Sequence, residues 1–489
     1  MVEEDIGVLK LSGHSLPARP LVIMVDADHY TINVINQCQI SPPAGSVPTT
    51  NLPLTFLDLI WIDSKPLQRL FFFPFPHSTH HFMDSIFPTL KLSLSFTLKH
   101  FFPLAGNCIL PPQPHNPHLL FTTHDSVLLT VAESIGCDFH HLIADYPRDA
   151  KHMYPFVVDL PKSRVLSDGT RVLPLLALKI TVFPNQGLCI CIAFHHVVAD
   201  GMSAHHFVKS WASICRNGAA SDSLNGPLPY LDRTVIEDPN GLASMFLQEL
   251  SGWASSWNPD LDKPIMDLAP VNKVRATFVL SKTQIERLKN WVKTKLEEPL
   301  RLSSFIVACS LVWGCLIQST ETESNDFTVK DEICVLGFVG NCRNRLNYPI
   351  PSTYFGNCLD LCGVLFKKND LLERNNIGVV AKAVGKAVKE FESEPLKMAD
   401  EWFSFRRKYG ESGRVLTVAG SPKLRVYDTN FGWGRPLKSE VLHVDMSKAI
   451  SLQESRDMEG GIEIGLGLTD THMNRFIAIW EENLNFFCS

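Results

Sequence analysis

The sequence lacks the marks of several simple functional classes. No block of Lys and Arg stands out, and the 489 residues carry a formal net charge of -6, which argues against a nucleic-acid partner. The longest apolar runs, such as Phe305 to Ile317, are too short to span a bilayer. The first ten residues, MVEEDIGVLK, are acidic and have no apolar stretch of the kind a secretory signal needs. The 13 cysteines include no CxxC pair, and most lie in apolar runs, as Cys189, Cys191, Cys309 and Cys315 do. That usage predicts buried free thiols in a reduced, cytoplasmic protein. There is no repeat of solenoid period and no G-x-S-x-G nucleophile elbow, Gly201-Met202-Ser203 being the nearest approach. Gly465-Leu466-Gly467 lacks the third glycine of a dinucleotide fingerprint, and His77, His80 and His81 lack a further ligand at zinc spacing, so no metal is expected.

What is present is a globular composition, 45% apolar and 20% charged, in a chain long enough for two or three domains. Leu54 to Ile62 and Leu67 to Pro74 read as buried strands, or as a strand and a linker. Met83 to Phe101 has helical spacing. Leu173 to Phe183 and the CICIAF segment at 189–194 read as a hairpin turning at PNQG. Residues 217–232 are rich in Asn, Gly, Ser and Pro and form the best crossover between two halves. Beyond it, Ser281 and Gln284 form a capping box, Ser303 or Ser304 caps a wholly apolar helix, and 450–468 reads as a hairpin with its turn at MEGG. Interleaved strands and helices in two halves predict an α/β protein: an extension over 1–29 that is flexible, an N-terminal domain over 30–216, the crossover, and a C-terminal domain over 233–489.

The most informative stretch is CICIAFHHVVADG at 189–201. A buried strand delivers His196, and Asp200 and Gly201 complete an H-x-x-x-D-G pattern. A neutral imidazole in an interior site can take a proton at neutral pH. The pattern is not specific, since His141 and Asp145 repeat it in a polar, loop-like setting that reads as surface structure. Two compact aromatic-glycine segments follow, YFGNC at 354–358 and NFGWGRP at 430–436. Each reads either as a structural turn or as a loop shaping a site.

In this order the three motifs resemble the BAHD family of plant acyl-CoA-dependent acyltransferases, over about residues 31 to 489. YFGNC resembles the branch that acylates anthocyanins, flavonoids and other phenolic glycosides. SPPAGSVPTT, LPLTFLD, LKHFFPLAGN and NCRNRL are similar as well. The resemblance implies a monomer of two chloramphenicol acetyltransferase-like domains. A channel between them admits acyl-CoA, a co-substrate, from one face and the acceptor from the other, with no permanently bound cofactor. It implies that His196 is the general base, and that Asp200 pairs with Arg343, or else with Arg345, to hold the loop. It also implies that Gly201 leaves room beside the histidine and that Trp433, between Gly432 and Gly434, supports the oxyanion. Ser303 and Ser304 would lie near CoA. Asn430 stands where the family pattern has aspartate. A malonyl donor is the first expectation, from the likeness of NFGWGRP and ISLQESRDMEGGIEIGLGL to the malonylating branch. A p-coumaroyl donor is the second, and a non-catalytic binding protein on the same fold the third.

Overall fold

A computed structural model describes residues 22–24, 30–219, 226–250, 258–269, 271–320, 332–372, 377–410, 415–488. Most of the extension over 1–29 lies outside these residues, as does the middle of the 217–232 crossover. The one described piece of the extension, Val22–Met24, adds an antiparallel edge strand to Thr31–Ile40.

Two seven-stranded mixed sheets organise the molecule. In the first, the order is Val22–Met24, Thr31–Ile40, Val127–Ile135, Leu176–Phe183, Gly187–Phe194, Leu67–Pro74 and Lys438–Val441. Leu176–Phe183 and Gly187–Phe194 form the expected hairpin, with Asn185 in the left-handed region of the PNQG turn. Every residue of both strands is buried; Gly187–Phe194 is apolar throughout, whereas Leu176–Phe183 also buries Thr181 and Lys179, whose ammonium donates to the Pro155 carbonyl at 2.6 Å. Helices Phe87–His100 and Gly201–Arg216 pack together on this half, where the Trp211 indole NH donates to the Leu90 carbonyl at 3.2 Å. A smaller five-stranded sheet flanks it.

The second large sheet runs Leu359–Lys367, Ile333–Asn341, Val415–Ala419, Ala449–Glu454, Ile462–Thr469, Lys273–Leu280 and Arg148–Asp149. The apolar helix Ser304–Thr320 is buried against it, next to Ile377–Ser393 and Asp470–Cys488. The two halves do not part cleanly at the crossover. Lys438–Val441 leaves the C-terminal half to pair with Leu67–Pro74 of the first sheet, and Arg148–Asp149 makes the reverse exchange onto Lys273–Leu280. The exchange is locked by buried charge. Glu440 accepts from Arg275 at 2.8 Å and from Arg148 at 2.9 Å, and Asp445 accepts from Arg275 at 2.5 Å.

One local expectation changes. Residues 54–62 are not a strand: Phe56–Leu59 is a short helix. Asp58 bends back to accept from the Thr55 amide at 2.8 Å and hydroxyl at 2.7 Å, and this polar closure overrides the β-like apolar run.

Candidate active site

His196 lies two residues beyond the end of strand Gly187–Phe194, in the turn before helix Gly201–Arg216. It sits deep in the molecule without being fully covered. Its ring stacks on Trp61, with centroids 3.9 Å apart and planes 12° from parallel. Nδ1 is buried and meets no hydrogen-bond partner among the described residues, which leaves Nε2 as the nitrogen open to the surrounding space. Burial pushes the imidazole pKa below the ordinary histidine value, opposed by the residue's own backbone, Asp200, Asn357 and Asp58. The ring is therefore neutral at neutral pH, as a general base must be.

Asp200 faces away from that chemistry. It caps helix Gly201–Arg216, accepting from the Ser203 amide at 2.9 Å through one oxygen. Its other oxygen accepts from Arg343 at 2.7 Å and from the Cys358 amide at 3.1 Å. Burial acts to raise its pKa, but Arg343 and these amides hold the carboxyl below the usual range. Arg343 spreads further, to the Ser203 hydroxyl at 3.0 Å and the carbonyls of Tyr354 at 3.0 Å and Gly356 at 3.2 Å. Arg345 instead donates to the Asn341 carbonyl at 2.8 Å. The HxxxD turn, the N-x-R-x-R stretch and YFGNC are thus one buried knot.

Three residues here, two of them inside the YFGNC and LPLTFLD stretches, have no role assigned from the sequence. Asn357 donates to the His196 carbonyl at 2.9 Å and to Asp58 at 3.0 Å. Asp58 in turn pairs with the buried Arg233 at 2.5 Å. The third is Trp61. An acid inside the apolar run LTFLDLIWI was the available signal, because a carboxylate is not buried without partners.

The other expected residues sit elsewhere. Ser303 caps helix Ser304–Thr320, its hydroxyl accepting from the Ile306 amide at 3.2 Å; it is exposed and Ser304 half-buried. A side chain at Gly201 would meet only Leu424, at 3.5 Å, so the room it leaves is not beside the histidine. Asn430 accepts from the amides of Gly432 at 2.8 Å and Gly434 at 3.2 Å, so its oxygen closes the loop without a charge. Both glycines have φ values, +120° and +108°, that other residues rarely adopt.

Trp433 requires a correction. It stacks on Phe431, with centroids 5.5 Å apart, and meets Phe73 edge-on at 6.1 Å. Phe73 pairs with Leu188, whereas Leu67 pairs with Phe194 at the His196 end. Six residues of strand separate the two levels, roughly 20 Å. An oxyanion donor must lie within hydrogen-bond reach of the reacting carbonyl, so Trp433 cannot be one. Its loop instead launches strand Lys438–Val441, which runs back along Leu67–Pro74 toward the His196 end.

Comparisons with known proteins agree with this architecture. The model of the Transferase family matches residues 31–483. A coumaroyl-CoA:anthocyanidin 3-O-glucoside-6''-O-coumaroyltransferase of Arabidopsis thaliana is 38% identical over 94% of this chain and 98% of its own length. Phenolic glucoside malonyltransferase 1 of Nicotiana tabacum is 36% identical over 93% of this chain and 99% of its own length. The crystal structure of vinorine synthase shares the fold, with a TM-score of 0.65 at 19% identity over 91% of this chain and 96% of that one. With His196, the buried knot behind it and both sheets spread over the matched span, the chain belongs to the BAHD family of acyl-CoA-dependent acyltransferases.

Proposed function

We propose that this enzyme transfers an acyl group from CoA to a sugar hydroxyl of an anthocyanin or related phenolic glucoside, with His196 as general base. The observation that carries the reading is the neutral His196 ring, stacked on Trp61 with its Nδ1 sealed, while Asn357 holds the His196 main-chain carbonyl. The hydroxyl gives its proton to Nε2 as its oxygen attacks the thioester carbonyl. The returning proton leaves with the CoA sulfur, so no acyl-enzyme is needed. Asp200 and Arg343 keep the turn in place and do not touch substrate. Ser303 and Ser304 stand at the start of a long helix, whose N-terminus suits CoA phosphate groups.

A hydroxycinnamoyl donor is the favoured reading. It is supported by the 38% identical coumaroyltransferase and by the flat face of Trp61 beside the base. Malonyl is the second reading. Arg69, whose hydrogen bonds go to the neutral side chains of Ser439 at 2.8 Å and Gln453 at 3.0 Å, could meet a free carboxylate, and the 36% identical relative is a malonyltransferase. The test is free-thiol release from p-coumaroyl-CoA and malonyl-CoA, side by side, with a panel of anthocyanin and flavonoid glucosides. Release from p-coumaroyl-CoA alone supports the first donor, and release from malonyl-CoA alone replaces it with the second. Silence with both returns the chain to a binding role. In the active pair, His196→Ala is expected to lower kcat by about 10²–10⁴-fold at unchanged melting temperature; an active variant would sink the base assignment.

A further inference from the structure

With Trp433 remote from the base, the oxyanion formed on attack needs another donor, and a second histidine stands at the same end of the sheet. Strand Lys438–Val441 is paired so that Val441 lies opposite Arg69, and the Leu442 amide donates to the Gln68 carbonyl at 3.2 Å. His443 follows, in the short helical turn His443–Asp445, level with the end of strand Gly187–Phe194 that delivers His196. One strand lies between the two chains, so their backbones run about 10 Å apart. That span can hold a carbonyl group between two imidazoles.

Like His196, His443 is partly open, and its Nδ1 is buried with no hydrogen-bond partner of good geometry among the described residues. Nε2 is the nitrogen that faces open space. A neutral ring that carries its proton on Nε2 is a hydrogen-bond donor at that point. Burial, then His196, Arg69 and Arg275, push the imidazole pKa down to about 3 against the pull of the Gln68 carbonyl, so the ring stays neutral. The same positive surroundings favour a negative charge beside it. The turn is held firmly on both sides by the buried pairs of Arg275 with Glu440 and Asp445.

We propose that the His443 Nε2–H donates a hydrogen bond to the thioester oxygen as it becomes an oxyanion, making His443 a second catalytic histidine. The assignment rests on the acyl-transfer reading above. As the acceptor oxygen bonds to the thioester carbon, its proton passes to His196 Nε2 and the carbonyl π pair moves onto oxygen, opposite His443. The intermediate then collapses: the C=O bond re-forms, the C–S bond breaks, and the His196 imidazolium protonates the departing sulfur to give CoA thiol and ester. A neutral histidine in this role polarises without competing for the proton.

The test uses the full chain with the donor and glucoside that the wild type turns over, comparing wild type, His443→Leu, His443→Gln and His196→Ala. Loss of one such donor is expected to lower kcat about 10²–10³-fold with KM little changed. Gln places an N–H near the same position and should recover at least about tenfold of that loss. Melting temperatures and acyl-CoA binding by titration calorimetry separate misfolding and weak binding from slow chemistry. The proposal is overturned if His443→Leu stays within about threefold of wild-type kcat, if only KM rises, or if Gln and Leu are equally slow. In each case an active wild type and an inactive His196→Ala leave the acyl-transfer reading standing. An inactive wild type would remove that reading itself.

Discussion

At the scale of single residues, position along a strand decides which motif residues share a site. Trp433 lies in a glycine-flanked segment that looks functional, yet its ring packs on Phe73 and Phe431, roughly 20 Å along the strand from the base. Trp433→Leu is therefore expected to destabilise the protein by about 1–3 kcal/mol, as loss of partly buried aromatic packing does. The folded variant should keep a kcat within about threefold of wild type. Thermal unfolding and thiol-release kinetics check this, and a hundredfold loss of kcat with unchanged melting would reinstate Trp433 near the chemistry. The sequence makes His196 legible because a continuous apolar strand ends at it. It names YFGNC without giving Asn357 a role and does not disclose Trp61, because both come to His196 from distant segments through tertiary packing.

Elements are joined here by buried polar knots more than by loops. Asp200 caps one helix, pairs with Arg343 and holds the Cys358 amide, so three segments depend on one carboxylate. Asp200→Asn separates these duties, because Asn is as good a helix cap but carries no charge. It leaves Arg343 buried without its counter-charge, and breaking such a pair costs about 3–5 kcal/mol. The expected outcome is a clear fall in melting temperature, with kcat lost only as far as the His196 turn loosens. A large kcat loss with unchanged melting and unchanged acyl-CoA binding would give Asp200 a direct role. Local signals predicted many elements correctly, including the Ser281 capping box and the hairpins at PNQG and MEGG. They failed at 54–62, where the apolar run reads as strand but the Thr55–Asp58 closure makes a helix. They were also silent on the strand exchange, because a four-residue strand such as Lys438–Val441 finds its partner only in the assembled sheet.

On the scale of the whole molecule, the interior stores several neutral histidines, and this sets how the fold responds to acid. Burial pushes His195 down to about 4, and burial together with nearby cations pushes His205 down to about 3, as it does His443. In the unfolded chain each returns to about 6.5. Between these values the unfolded state binds more protons than the folded one, so stability rises with pH across that window. The contribution is fully present above about pH 6.5 and is lost as pH falls toward 4. Each of the three histidines accounts for up to ~2 kcal/mol of loss by pH 5. His196 is also depressed, so its ring remains neutral below the ordinary histidine value, as the proposed base role requires. Activity should therefore hold as pH drops through 6.5, and its acid limit should coincide with loss of the fold rather than precede it. Urea unfolding midpoints at pH 8, 7, 6 and 5, measured beside kcat/KM, test both points. A midpoint constant from pH 7 to 5 would mean that these histidines titrate alike in the folded and unfolded chains, and an activity loss centred at 6.5 in fully folded enzyme would mean that His196 is not desolvated.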